Sequence, residues 1–534
     1  MSLLDLVGGN TTDISNTGII RLDARFSNIH AITNQPVPGP EGPQGPIGPQ
    51  GPQGPQGPQA PPNHPNTYFN QQSIQRIQNH IDNYTDGEQV RNYQVVFGNA
   101  KTNEEYHLVS GRQADGTNLT TDNYMRWASM GKMHCGMMIS VALQKGIIPS
   151  LDTPIADVLP QFKKEDLQVL VVGRDASNQE IVTGTEDCTV DITYRHLLNM
   201  SAGFIYAWVI GGNLAGLGQS LNFREQYIKD NYQDEWLKLD YQGVANGFNS
   251  NDWLEILPNI PLLFQPGTDF RVGTDYDIIG IAISKRLENM NLYSGSSVQM
   301  YIQEILIPIG ALRTWFRGGH SSAPTDSAQK LTSVTWDVNS ANYDESWGNN
   351  STSRDASGVV WADEYIQDDL YRLTQDINVM ARDPNITPGN FNDGMNGPFT
   401  DFTKVLKLIY NNGYHPESGK QIISPQYLEW NFQRTTPSDM PVKVAGGVIT
   451  MWNGGWGNGF RRGNAEPNEY INTSDRNPPV PLGPNTLYWI GWWGTNWFLD
   501  IKTGFYAVSG LQTPFVFGTG ASDDNIFNII VSSI

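Results

Sequence analysis

Thiols are scarce in this chain: Cys135 and Cys188 are its two cysteines in 534 residues. That excludes a disulfide scaffold and a four-thiolate zinc site, and leaves room for one bridge at most. Positive charge is also in short supply. Lys plus Arg number 34 against 54 Asp plus Glu, a formal net charge of −20, so a polyanion is repelled and nucleic acid is not an expected partner. No apolar run approaches the ~20 residues of a membrane-spanning helix. The opening MSLLDLVGGNTTDIS lacks the basic start and continuous apolar stretch of a secretory signal. Neither signal-peptide export nor a membrane span is therefore expected, and the sequons at Asn83, Asn118 and Asn385 read as chance matches. There is no H-E-x-x-H motif and no Cys/His cluster, and the stretch from Asp337 lacks the central glycine of a calcium loop. No metal and no cofactor are expected.

Glycine and proline, by contrast, are plentiful, with 54 and 33 residues, and they are unevenly placed. Residues Gly39 to Gln59 form seven uninterrupted Gly-Pro-X triplets. Strict phase with Gly at every third position is the collagen pattern, because only Gly fits the axis where three polyproline-type strands meet. A proline-rich linker has no need of that phase. The segment reads as the stalk of a homotrimer, roughly 65 Å long at about 3.1 Å per residue. Residues 1–38, with apolar patches at Leu3, Leu4, Leu6 and Val7 and at Ile19, Ile20 and Leu22, would supply anchoring or trimer contacts.

After a hinge over 60–71 the composition turns globular and stays so from 72 to 534. Ile74, Ile77 and Ile81 are spaced as on one face of a helix. Strand-like runs follow from Tyr93 and Glu104, and a helix is predicted from about Ser129 to Lys145, stopped by Gly146. Three more strand-like segments begin at Leu487, Asn496 and Phe505, before a last apolar run predicted to be a closing helix. This order predicts an α+β domain whose sheet is built from both chain ends. Residues 318–390, polar and rich in Ser, Asn and Asp, read as a surface insertion.

Within the predicted helix, Ser129-Met130-Gly131-Lys132 forms an S-x-x-K pattern. Residues three apart share a helix face, so the Lys amine would lie beside the Ser hydroxyl. Burial by Met133, Met137, Met138 and Val141 would lower the Lys pKa, and the helix dipole would favour the Ser anion. The pattern recurs at Ser327 to Lys330, but in a polar stretch without helical periodicity. His134 and His196 read as structural, the first packed and the second on a helix.

The run from Arg126 through QKGIIPSLDTPIADVLPQF resembles the nucleophile helix, and the segment after it, of the serine β-lactamase-related family. That family includes class C β-lactamases, D-alanyl-D-alanine carboxypeptidases and esterases. DITYRHLLNMSAGFIY from Asp191, FQPGTDF from Phe264, DYDIIGIAISK from Asp275, and GMNGPFTDFTKVLKLIYNNG with GKQIISPQYLEWN extend the resemblance in the family's order. It covers nearly all of residues 72–534. The resemblance implies a β-lactamase/transpeptidase-like fold, an antiparallel sheet flanked by helices plus a helical subdomain.

It also implies a site. Ser129 would be the nucleophile and Lys132 its proton partner, Trp489-Ile490-Gly491 would match the family's Trp-x-Gly strand, and the backbone N–H groups of Ser129 and Trp492 would form the oxyanion hole. The family's catalytic Tyr has no counterpart: its position falls on Val272 or Arg271, neither able to act as that Tyr does, while Tyr276 belongs to the following helix in the family's register. A positioned general acid–base group contributes roughly 10²–10⁴-fold to rate, so slow acylation or none is expected. Of Trp489, Trp492, Trp493 and Trp497, strand alternation puts about half in the core.

Two functions follow. The first, favoured on the stalk, the insertion and the missing Tyr, is a trimeric surface-displayed protein in the manner of phage and large-virus fibres. Its head would be catalytically degraded, made as a soluble cytoplasmic chain, and displayed on a virion or extracellular surface. The alternative is an active serine hydrolase taking an ester, amide or peptidoglycan-type ligand through acyl-Ser129.

Overall fold

The computed structural model describes residues 68–86, 90–113, 116–205, 222–235, 254–316, 395–431, 486–491, 494–512 and 524–533, with short pieces between 332 and 362 and between 456 and 462. The triplet segment, everything before it, most of the polar insertion, Trp492 and Trp493 lie outside the described residues.

The sheet joins the two ends of the domain, as the order of elements predicts. Seven antiparallel strands run in the spatial order Trp456–Gly457, Phe460–Arg462, Thr486–Gly491, Thr495–Asp500, Phe505–Gly510, Asn92–Asn99, Glu104–Gly111. The first strand in the chain pairs with the last, Gln94 opposite Gly510 and Asn99 opposite Phe505. Because side chains alternate across a strand, neighbouring residues enter different cores. Val96, Trp497, Leu499, Tyr506 and Val508 pack toward the large helical lobe. Val95, Phe97, Phe498 and Ala507 pack under the terminal helices Gln71–Asp86 and Asp524–Val531. Both faces are covered, which is why these strands read as continuous apolar runs.

The first helix buries Ile77 and Ile81 and leaves Ile74 half-buried, close to the predicted face. Ser73 Oγ donates to the Ser533 carbonyl oxygen at 2.7 Å, tying the two terminal helices together. Trp489 and Trp497 are both buried. They are directly paired neighbours on adjacent strands, so they share a sheet face and go in together.

The helical lobe is centred on Lys132–Gln144, where every residue but the last is buried. It ends as its glycine foretells: Gly146 has φ +66°, and Ile147 N–H donates to the Ala142 carbonyl at 2.8 Å. The helix Asp275–Met290 packs beside it, also largely buried. Cys135 and Cys188 are both buried free thiols, so the one bridge open to the sequence is not formed. Among the described residues no helix is long and apolar enough to cross a membrane.

Candidate active site

Ser129 and Lys132 are brought together, but on a different scaffold from the one their spacing predicts. Ser129 lies in a 3₁₀ turn, Ala128–Gly131, and the α-helix starts only at Lys132. The tightening comes from the way Trp127 is held. Trp127 N–H donates to the Met395 carbonyl at 3.0 Å while its own carbonyl accepts from Met130 N–H at 3.3 Å. The chain thus leaves the short strand Met125–Arg126, paired with Met395–Gly397, and turns at once. At three residues per turn, positions i and i+3 eclipse. The Lys132 Nζ accordingly reaches Ser129 Oγ at 2.7 Å, with Lys132 fully buried and Ser129 half-exposed.

The turn is braced from three sides. Gly397 accepts from the Trp127 indole N–H at 3.0 Å. Gln512, just past the last strand, accepts from Arg126 N–H through Oε1 and donates to the Arg126 carbonyl through Nε2, both at 3.0 Å. It replaces a missing strand partner with one side chain. On the third side stands the strand Thr486–Gly491. A Cβ at Gly491 would lie inside contact distance of Thr495 Oγ1 and the Trp127 carbonyl oxygen, and 3.2 Å from Met130 N. Thr495 Oγ1 donates to that same Trp127 carbonyl at 2.9 Å. The strand backbone can therefore lie on the turn that carries Ser129 only because residue 491 has no side chain.

The positions bearing on the missing Tyr are occupied by structure. Val272 is buried in the main core. Arg271 is turned into a buried ion pair with Glu225, its Nε 2.9 Å from Oε1, with 4% and 2% of the two side chains exposed. Tyr276 is fully buried and its hydroxyl donates to the Leu198 carbonyl at 2.9 Å, a structural bond. His134 stacks on Trp127 and bonds Tyr301 Oη at 2.6 Å, and burial pushes its pKa down to about 3, so it stays neutral. His196 closes a capping box with Thr193, and burial likewise lowers its pKa. Both histidines are packing groups.

Sequence reasoning missed Gln512 and Thr495. Gln512 sits 386 residues from its partner and has no local signal.

A family model described as Beta-lactamase matches residues 78–403. The chain belongs to the β-lactamase family. The acyltransferase calJ of Penicillium decumbens is 26% identical over 213 residues, which are 38% of this chain and 40% of that protein, so the chain spans well under half of that curated relative. Among solved structures, unliganded simvastatin synthase (LovD) of Aspergillus terreus has a TM-score of 0.57 at 16% identity, covering 86% of this chain and 98% of LovD. EstCE1, a hydrolase with promiscuous acyltransferase activity, has a TM-score of 0.53 at 18% identity, covering 86% and 98%. These likenesses establish the β-lactamase/transpeptidase-like α+β fold.

Proposed function

We propose that the domain is an acyl-transferring serine enzyme of esterase or acyltransferase type, with Ser129 as nucleophile and Lys132 as its proton partner. The observation that carries this is the 2.7 Å Nζ to Oγ contact between a fully buried amine and a half-exposed hydroxyl. The reading is supported by relatives that bear acyl-transfer and hydrolytic names, and it favours the enzymatic alternative over the display-only head.

In the proposed cycle Lys132 takes the Ser129 proton as Oγ bonds to the acyl carbon. The acyl carbon to leaving-oxygen bond then breaks, and the proton passes to the departing alcohol. Water or a second alcohol attacks the acyl-Ser129, its proton returns through Lys132, and Oγ–H is restored. Trp489 and Gly491 would border the acyl group, and Trp492 is proposed as the second oxyanion donor.

The test is covalent labelling with a fluorophosphonate and turnover of p-nitrophenyl esters. Wild-type protein is expected to carry one adduct on Ser129, Ser129→Ala none, and Lys132→Met to acylate roughly 10²–10⁴-fold more slowly. Folded wild-type protein that takes no label would overturn the reading.

A second proposal rests on the seven phased triplets: the chain trimerises through residues 39–59 and presents its heads on a virion or extracellular surface. Light scattering is expected to give a trimer for the full chain and a monomer after deletion of 39–59. A monomeric full chain would sink the proposal.

A further inference from the structure

Gln512 follows the last strand of the sheet, Phe505–Gly510, and lies 386 residues from the segment it holds. It is fully buried, and its backbone stands in the left-handed region at φ +49°. That conformation is unfavourable for a residue with a side chain. Such strain persists only where the surroundings over-determine it, and here the side-chain carboxamide does so. Oε1 accepts from Arg126 N–H and Nε2 donates to the Arg126 carbonyl, both at 3.0 Å, so the side chain is committed at both ends.

The Arg126 carbonyl and the Trp127 N–H belong to one planar peptide unit and point in opposite directions. Gln512 holds the first and the Met395 carbonyl holds the second, each at 3.0 Å. Fixed from both sides, that plane leads directly into the turn Ala128–Gly131, which carries Ser129. The Arg126 side chain is held as well. Its Nη1 donates to the Thr332 carbonyl at 2.8 Å and lies 3.4 Å from Gln512 Oε1, with Arg126 3% exposed. Thr332, from the polar stretch 318–390, is itself fully buried, and its N–H and Oγ1 both donate to the Tyr124 carbonyl at 2.8 Å. Three segments far apart in sequence thus meet on the strand that delivers the nucleophile.

We infer that Gln512 is a positioning residue for acyl transfer: its carboxamide, acting through the Arg126–Trp127 peptide, sets the orientation of the turn that aims Ser129 Oγ. Its hydrogen bonds go to Arg126, and its effect reaches Ser129 through the turn. The inference deepens the acyl-transfer reading and rests on it for its functional meaning, but the clamp can be measured apart from catalysis.

The experiment compares full-length wild type with Gln512→Ala and Gln512→Gly. Three quantities are read: fluorophosphonate labelling of Ser129, thermal melting, and hydrogen–deuterium exchange of the segment 125–131. Both variants remove the clamp, but glycine relaxes the left-handed backbone and alanine does not. Gln512→Gly is therefore expected to melt higher than Gln512→Ala. Both are expected to label about 10–10²-fold more slowly than wild type at saturating probe, a displaced nucleophile being the cause. The half-saturating probe concentration is expected to stay within about twofold, because the loss falls on the chemical step.

A merely structural role would make labelling follow melting, so that glycine recovers part of the rate that alanine loses. That result, or wild-type rates in both variants, would overturn the inference. Amide exchange over 125–131 is expected to quicken about tenfold in both variants, beyond any change in the helix Gln71–Asp86, as a local opening should. Unchanged exchange would overturn the clamp. If wild type takes no label, faster exchange in the variants upholds the clamp and overturns the acyl-transfer reading alone.

Discussion

Alanine at position 491 is expected to slow acylation of Ser129 by at least about 10²-fold, the cost of moving a reacting group by an ångström or so. The reason is a backbone-to-backbone approach. The added methyl would meet the Trp127 carbonyl oxygen and Thr495 Oγ1 inside contact distance. Thr495 can rotate, although it would lose its 2.9 Å bond to Trp127 in doing so. The Trp127 carbonyl cannot rotate, because it caps the turn through Met130 N–H while Trp127 N–H is held by Met395. The strand must lift or the turn must shift, and Ser129 is in the turn. Overpacking of this kind costs about 1–3 kcal/mol, so the variant should fold and melt somewhat lower. The labelling rate of Gly491→Ala beside its melting curve is the measurement, and an unchanged rate would show that the strand does not set the position of Ser129.

Loss of the Glu225 carboxylate should have the largest effect on stability, about 3–5 kcal/mol in Glu225→Ala, because it strands the Arg271 guanidinium in the core. Glu225 Oε1 takes the Arg271 Nε bond, and Oε2 accepts Asn222 N–H at 3.1 Å, closing the capping box of helix Phe223–Asn231. One carboxylate thus joins that helix to the segment leading to Asp275. Replacing both partners by leucine should cost far less than removing one, since no buried charge is then left alone. Guanidinium unfolding of the single and double variants decides it. A Glu225→Ala change below about 1 kcal/mol would mean that Arg271 finds water or another partner.

Much of the fold was legible before any coordinates. The Ile74, Ile77 and Ile81 spacing, the paired strand runs, Gly146 as a helix stop and the closing apolar helix are local signals, and local signals survive folding. The start of the nucleophile helix was not legible to within three residues. Nothing near Ser129 announces that Met395 and Gly397, some 270 residues away, will hold Trp127 and tighten the turn. The fates of Arg271 and Tyr276 were equally hidden. Each could have reached toward the missing Tyr's place, but Glu225 and the Leu198 carbonyl are reached only once distant segments have packed.

By itself the sequence determined the chemistry available: a serine and a lysine three apart, a tryptophan and a glycine on a strand, no tyrosine at the family position, and seven phased triplets that no globular domain requires. These are matters of residue type and spacing along the chain. The tertiary structure decided which polar groups face one another. It set Lys132 Nζ 2.7 Å from Ser129 Oγ and turned Arg271 away to Glu225. The physical reason is that a buried charge takes its meaning from its neighbours in space, and here those neighbours lie on elements that only packing brings together.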